Sequence, residues 1–70
     1  MKMFKFNDID GDPVIINLHE VRSTHIGTHG YDMYTIVINF KNITKELTVK
    51  IGGKDKVIAI IEDMYFQMNW

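Results

Sequence analysis

Apolar and polar residues alternate from the start of the chain. Over residues 2–6, Phe4 and Phe6 share a parity with Lys2, while Met3 and Lys5 share the other. A period of two marks a strand with one buried face, here carrying Phe4 and Phe6. Asn7-Asp8-Ile9-Asp10-Gly11-Asp12-Pro13 is dense in turn formers. Glycine adopts positive φ and aspartate side chains bond nearby backbone N–H groups, so a hairpin loop is predicted. Alternation resumes with Val14, Ile16 and Leu18 and then breaks at Asn17-Leu18-His19-Glu20. A one-residue slip turns every side chain to the other face, so a bulge or single turn is expected there, with extended chain again from Val21 to Ile26. Gly27-Thr28-His29-Gly30 reads as the next turn. The most regular strand covers residues 31–41, with Tyr34, Ile36, Ile38 and Phe40 on one face and Met33, Thr35, Val37 and Asn39 on the other. Residues 42–45 turn the chain. A last strand over 46–51 points Leu47, Val49 and Ile51 inward and Thr48 and Lys50 outward.

After Gly52-Gly53 the period changes. Ile58, Ile61, Tyr65 and Met68 form one row at helical spacing, and Val57, Ile60, Met64 and Met68 form an adjacent one. Asp55 near the start suits the positive end of a helix. Strands first and one helix last predict an α+β fold: a four- to five-stranded antiparallel β-meander with one C-terminal α-helix packed on one face. All 70 residues form a single domain.

Composition narrows the supports available to such a fold. At 46 % apolar and with one proline, the chain is no disordered tail. It has no cysteine, which excludes disulfides and cysteine-based zinc sites. A domain this short buries a modest share of its surface. It must rely on close packing, a histidine/carboxylate metal site or self-association. The lack of cysteine fits a reducing compartment. Basic and apolar residues alternate in Met1–Phe6, leaving no apolar signal core, and the longest apolar run, Val57 to Ile61, is far shorter than a membrane span. A cytoplasmic protein without membrane contact is expected.

The candidate chemistry is sparse. Asp8, Asp10 and Asp12 alternate as calcium-loop ligands do. The glycine, however, stands at the fourth position instead of the sixth, and His19 occupies the place of the closing glutamate. An acidic hairpin turn explains the cluster better. His25, His29 and Asp32 offer two imidazoles and a carboxylate to a divalent metal if a hairpin brings them together, or else form a solvated polar turn. Ser23 is the only serine; paired with His25 on a strand it lacks an oxyanion hole. Gly52-Gly53-Lys54 before a helix faintly suggests an anion loop, but Asp55 replaces the Ser or Thr of a P-loop. These readings assign no catalytic residue, no cofactor and no metal, so no enzyme is expected.

Surfaces carry more. Five lysines fall within residues 41–56, against Glu46 and Asp55. Lys5, Lys41, Lys45 and Lys50, with Tyr31 on an outward parity, define an alternative nucleic-acid face. The near-neutral net charge of −1 weighs against strong non-specific binding. On the helix, Phe66 and Trp70 lie one turn apart, off the two core rows and close to Glu62 and Asp63. A helix apolar over more than one stripe needs a second partner, and aromatics and methionine are favoured at interface centres. Phe66, Trp70, Glu62, Asp63 and Met33 are the expected protein interface, with an open sheet edge and the outward Met3 and Val37 beside them. A homodimer would also support so small a domain.

Gly11-Asp12-Pro13-Val14-Ile15-Ile16-Asn17-Leu18, followed by Val21, resembles the opening of small bacterial and phage β-meander-plus-helix proteins, including a small flagellar-operon protein with a Leu-Asn-Pro-type second strand. The resemblance covers residues 4–26 and the closing helix. His19 stands where that pattern has proline, and the third strand is longer here. The resemblance implies a non-enzymatic protein that contacts other proteins, and it transfers no functional residue. The Ile-, Asn- and Lys-rich style also resembles phage and mobile-element accessory proteins, among them inhibitors of host defence. The expected function is a small non-catalytic protein-binding module, self-associating, that acts by covering a partner's surface.

Overall fold

The computed structural model describes residues 2–69. Five strands precede one helix: β1 (Met3–Asn7), β2 (Pro13–Asn17), β3 (Val21–Thr28), β4 (Tyr34–Phe40), β5 (Leu47–Gly52) and α1 (Lys54–Met68). All strand pairing is antiparallel. The α+β class and the closing helix match expectation. The single meander does not: β1 and β2 form a two-stranded sheet, and β3, β4 and β5 a separate three-stranded one. The division falls at Leu18–Glu20, where one 3-10 turn follows β2. Asn17 caps that turn by accepting the His19 N–H at 3.1 Å. The turn buries Leu18 and redirects the chain, so β3 pairs with β4 and not with β2.

One glycine behaves differently from its reading as a turn residue. Gly27 lies inside β3, opposite Thr35. A Cβ at Gly27 would stand 2.7 Å from Thr35 Oγ1 and 3.1 Å from Val37 Cγ2, so only glycine fits this approach. The turn moves on to residues 29–33, where Gly30 and Asp32 take positive φ and the His29 N–H reaches the Met33 carbonyl at 2.8 Å. As a result β3 runs two residues further than its apolar pattern, and β4 starts at Tyr34.

The alternation of β4 organises the core. Ile36, Ile38, Val57 and Met64 are each 0 % exposed, bringing the inner face of the central strand against one stripe of the helix. Val49 and Ile51 of β5 and Val21 at the start of β3 join from the same sheet. The hairpin contributes Phe4, Phe6 and Ile16, with the two rings 6.0 Å apart. On the helix the buried row is Val57–Met64, flanked by the partly buried Ile60, Ile61 and Met68. Ile58 and Tyr65, read as core, lie at the margin because they are rotated about 100° from Val57 and Met64 respectively. Val37 was expected on the surface but is buried. It faces away from the helix, yet the neighbouring strands set His25 and Thr48 on either side of it.

Replacing Gly27 with alanine forces its new methyl group into Thr35. The expected loss is about 1–3 kcal/mol, the usual cost of overpacking. A urea midpoint for Gly27→Ala equal to that of the parent would show that Thr35 moves aside without cost.

Candidate protein interface

A strand at the edge of a sheet offers unpaired backbone groups, and folded proteins usually guard such edges with lysine, proline, bulges or covering segments. The edges of this molecule differ in that respect. The β5 edge is met by the hairpin loop, where the Ile9 N–H donates to the Lys50 carbonyl at 2.8 Å. In the hairpin, the Leu18 N–H bonds the Lys2 carbonyl, in register with the β1–β2 ladder. Hydrogen-bonded pairs alternate in an antiparallel ladder, so Met3, Lys5 and Asn7 of β1 and Pro13, Ile15 and Asn17 of β2 aim their backbone groups outward. Lysine therefore stands on one hairpin edge and proline on the other, both of the protective kind.

Over Thr24–Thr28 the β3 edge lacks these guards. The bond from His29 to Met33 fixes the phase of the β3–β4 ladder. His25 and Gly27 then bond to β4, and Thr24, Ile26 and Thr28 present their N–H and C=O groups to the outside. Among the described residues no strand pairs with this edge. The segment holds no proline or acidic residue, and the one irregularity lies earlier, between Val21 and Ser23.

The side chains beside that edge are apolar. Ile26 is 36 % exposed, Ile58 37 % and Tyr65 44 %. The Thr24 hydroxyl donates to the Tyr65 hydroxyl oxygen at 3.2 Å, tying α1 to the edge strand. Val21 and Met68 line a common depression further along, so β3 and α1 run antiparallel with Ile26 toward the start of the helix. An unguarded backbone edge and an exposed apolar margin therefore lie side by side. Periodicity missed this site because it assigned Ile58 and Tyr65 to the core.

The residues expected at an interface separate into two groups. Phe66 is 60 % exposed and lies nine residues from Val57, about two and a half turns, on the side of the helix opposite the core. Glu62 and Asp63 precede it by one turn and are exposed, so the three residues share an outward side of the helix. Trp70 lies outside the described residues. Met33 is partly buried in the β3–β4 turn, next to the N-terminal end of α1 through the pairing of Tyr34 with Gly52. It sits near the opposite end of the helix from Phe66 and belongs to a different surface. Met3 is exposed on the hairpin.

The lysines lie on three different elements. Lys5 is on the two-stranded sheet, Lys41 and Lys45 are in the β4–β5 loop, and Lys50 is within β5 opposite Thr35. Tyr31 is 94 % exposed, but it stands beyond the other end of β4 from Lys41 and Lys45, a strand length of about 20 Å away. Tyr31 is therefore not beside the loop lysines Lys41 and Lys45.

The remaining chemistry also resolves. Asp8, Asp10 and Asp12 place carboxylate oxygens within 4.8 Å of one another. Asp8 Oδ1 accepts from the N–H groups of both Asp10 and Asp12 at 2.9 Å, and Asp8 N–H donates to the Asp12 carbonyl. The cluster is thus the hydrogen-bonded frame of the hairpin turn. Among the described residues, His25, His29 and Asp32 do not form such a group. Ser23 Oγ accepts from Asn39 Nδ2 at 3.1 Å, across the strand pair. A groove of about 380 Å³ between the hairpin loop and α1 is lined by the apolar Ile9, Ile51, Ala59 and Ile60 and by Asn7, Asp8 and Lys56. Among the described residues no helix is long and apolar enough to cross a membrane.

Comparison of the chain with protein-family models, curated proteins and solved structures gives no match.

Asp8 holds its turn through an oxygen acceptor, which asparagine keeps and alanine removes. Asp8→Ala is expected to lower stability by about 0.5–2 kcal/mol and Asp8→Asn to change it far less. Equal losses in thermal denaturation would show that the charge, and not the acceptor, holds the loop.

Proposed function

We propose that this chain is a non-catalytic protein-binding module that acts by covering a working surface of its partner. The observation that carries this reading is the β3 edge, unguarded over Thr24–Thr28 and bordered by Ile26, Ile58 and Tyr65. Extended backbone supplies hydrogen bonds of fixed geometry to an added strand, and the apolar margin supplies the area that makes such contact stable. The outward stripe of Glu62, Asp63 and Phe66 adds a second contact on the same helix. An inhibitory role, of the kind held by phage and mobile-element accessory proteins, agrees with this mode of action, because a domain that covers a site needs no catalytic group of its own.

The test is competitive capture from a native lysate with three forms of the full chain: the parent, Ile26→Lys and Lys45→Glu. Ile26→Lys puts a charge beside the edge at a position exposed enough to tolerate it. A specific partner held by the parent should be lost by Ile26→Lys and retained by Lys45→Glu. Equal retention by all three forms would remove the β3 edge as the binding surface. Loss with Lys45→Glu alone, together with salt-sensitive binding to oligonucleotides, would favour the lysine-bearing nucleic-acid alternative.

A further inference from the structure

The edge that the proposed function uses is self-complementary, and we propose that in the partner-free protein its occupant is a second copy of this chain, joined by antiparallel β3–β3 pairing about a two-fold axis through Ile26. The inference rests on the reading of the β3 edge as a protein interface.

Register and charge point to a second copy. Pairing centred on Ile26 sets Ile26 against the second copy's Ile26 and Thr24 against its Thr28, the three positions whose backbone groups point outward. All these rungs stay in the regular segment between the bulge at Val21/Ser23 and the turn at His29. Pairing centred on Thr24 would set Ile26 against Arg22 at the bulge and Thr28 against Glu20 in the 3-10 turn. The Ile26 register joins two three-stranded sheets into one of six strands and leaves both helices on the same face, antiparallel to each other.

The helix margin fits the same axis. Helical side chains slant toward the N-terminus, so the Tyr65 hydroxyl on Thr24 brings Thr24 level with the turn at residues 61–62. Ile26 lies two residues, about 6.6 Å, further toward the start of the helix, level with Ile58. Lys54, Ile58 and Glu62 follow at four-residue spacing along that margin. A two-fold axis at the level of Ile58 therefore apposes Ile58 to Ile58 and Lys54 of each copy to Glu62 of the other. Among the described residues neither Lys54 nor Glu62 makes an ion pair within its own chain. Three strand spacings, about 14 Å, separate β4 from its copy, a span that the long side chains of Lys54 and Glu62 can bridge. The net charge of −1 adds little repulsion between copies.

Single-cysteine variants read the register directly, because the natural chain has no cysteine. In hydrogen-bonded rungs opposed Cα atoms lie about 5.5 Å apart, within disulfide reach. Under mild oxidation Ile26→Cys should form covalent dimer at least tenfold faster than Tyr31→Cys, an exposed control for chance collision. Thr24→Cys should be no faster than that control, since Thr24 faces Thr28 and its own copy lies about four residues away. Thr24→Cys cross-linking faster than Ile26→Cys would overturn the proposal.

Sedimentation equilibrium from about 10 μM to 1 mM supplies the second arm. The parent should show a monomer–dimer equilibrium. Lys54→Glu and Glu62→Lys should each weaken it roughly tenfold, and the double variant should restore it. A parent that stays monomeric throughout, or a double variant no tighter than the singles, would overturn the two-fold arrangement. If the parent is monomeric while Ile26→Lys still loses a captured partner, the dimer falls and the protein-binding reading stands. If the chain dimerises as described while capture is indifferent to Ile26, the dimer stands and a heterologous partner at this edge falls.

Discussion

The contact between β4 and α1 supports everything else in the molecule. Ile36 and Ile38 on the strand and Val57 and Met64 on the helix are wholly enclosed, and burial of each such side chain contributes about 1.5–3 kcal/mol. A 70-residue chain without cysteine has few other large terms to draw on. The central strand must therefore present a strict period of two, and the helix a narrow stripe to meet it. β3 and β5 sit in register beside β4 and extend the enclosed face. The hairpin closes the remaining side with Phe4, Phe6, Ile16 and the bond from Ile9 to Lys50.

That economy determines where function can reside. With one helix covering three strands and the hairpin occupying the β5 side, no strand among the described residues pairs with the β3 edge. The same helix is too narrow to hide all its apolar residues. Val57 and Met64 take the centre, so Ile58 and Tyr65 fall at the margin nearest β3 and Phe66 falls outside altogether. An unguarded backbone edge and an apolar helix margin meet because one core element does the work that larger domains divide among several. The guards on the other edges, Lys5, Pro13 and Ile9, set β3 apart as the strand left available.

Much of the fold was legible because strong periodicity lies on short elements. The alternation of Tyr34, Ile36, Ile38 and Phe40, the turn formers from Asn7 to Pro13, the break at Leu18–Glu20 and the helical rows after Gly53 all reappear as structure. Gly27 was misread because glycine marks either a turn or a close approach, and only the presence of Thr35 and Val37 across the strand pair distinguishes the two. Of the expected interface, Phe66, Glu62 and Asp63 stand together on an outward stripe, since helical spacing alone groups them. Met33 is separated from them, since its position depends on how the β3–β4 turn meets the start of the helix. Val37 was expected outside and is enclosed by cross-strand neighbours that alternation cannot identify.

By itself the sequence determined the period of each element, the order of strands and helix, the acidic turn and the lack of disulfide support, because these follow from local geometry and residue chemistry. Tertiary structure decided the split into two sheets, the pairing phase that turns Thr24, Ile26 and Thr28 outward, and which of two adjacent helical rows is buried. Those choices depend on contacts between residues far apart in the chain. Strand edges acquire their accessibility only when partners are assigned, and a helix row becomes a core row only when a sheet is placed against it.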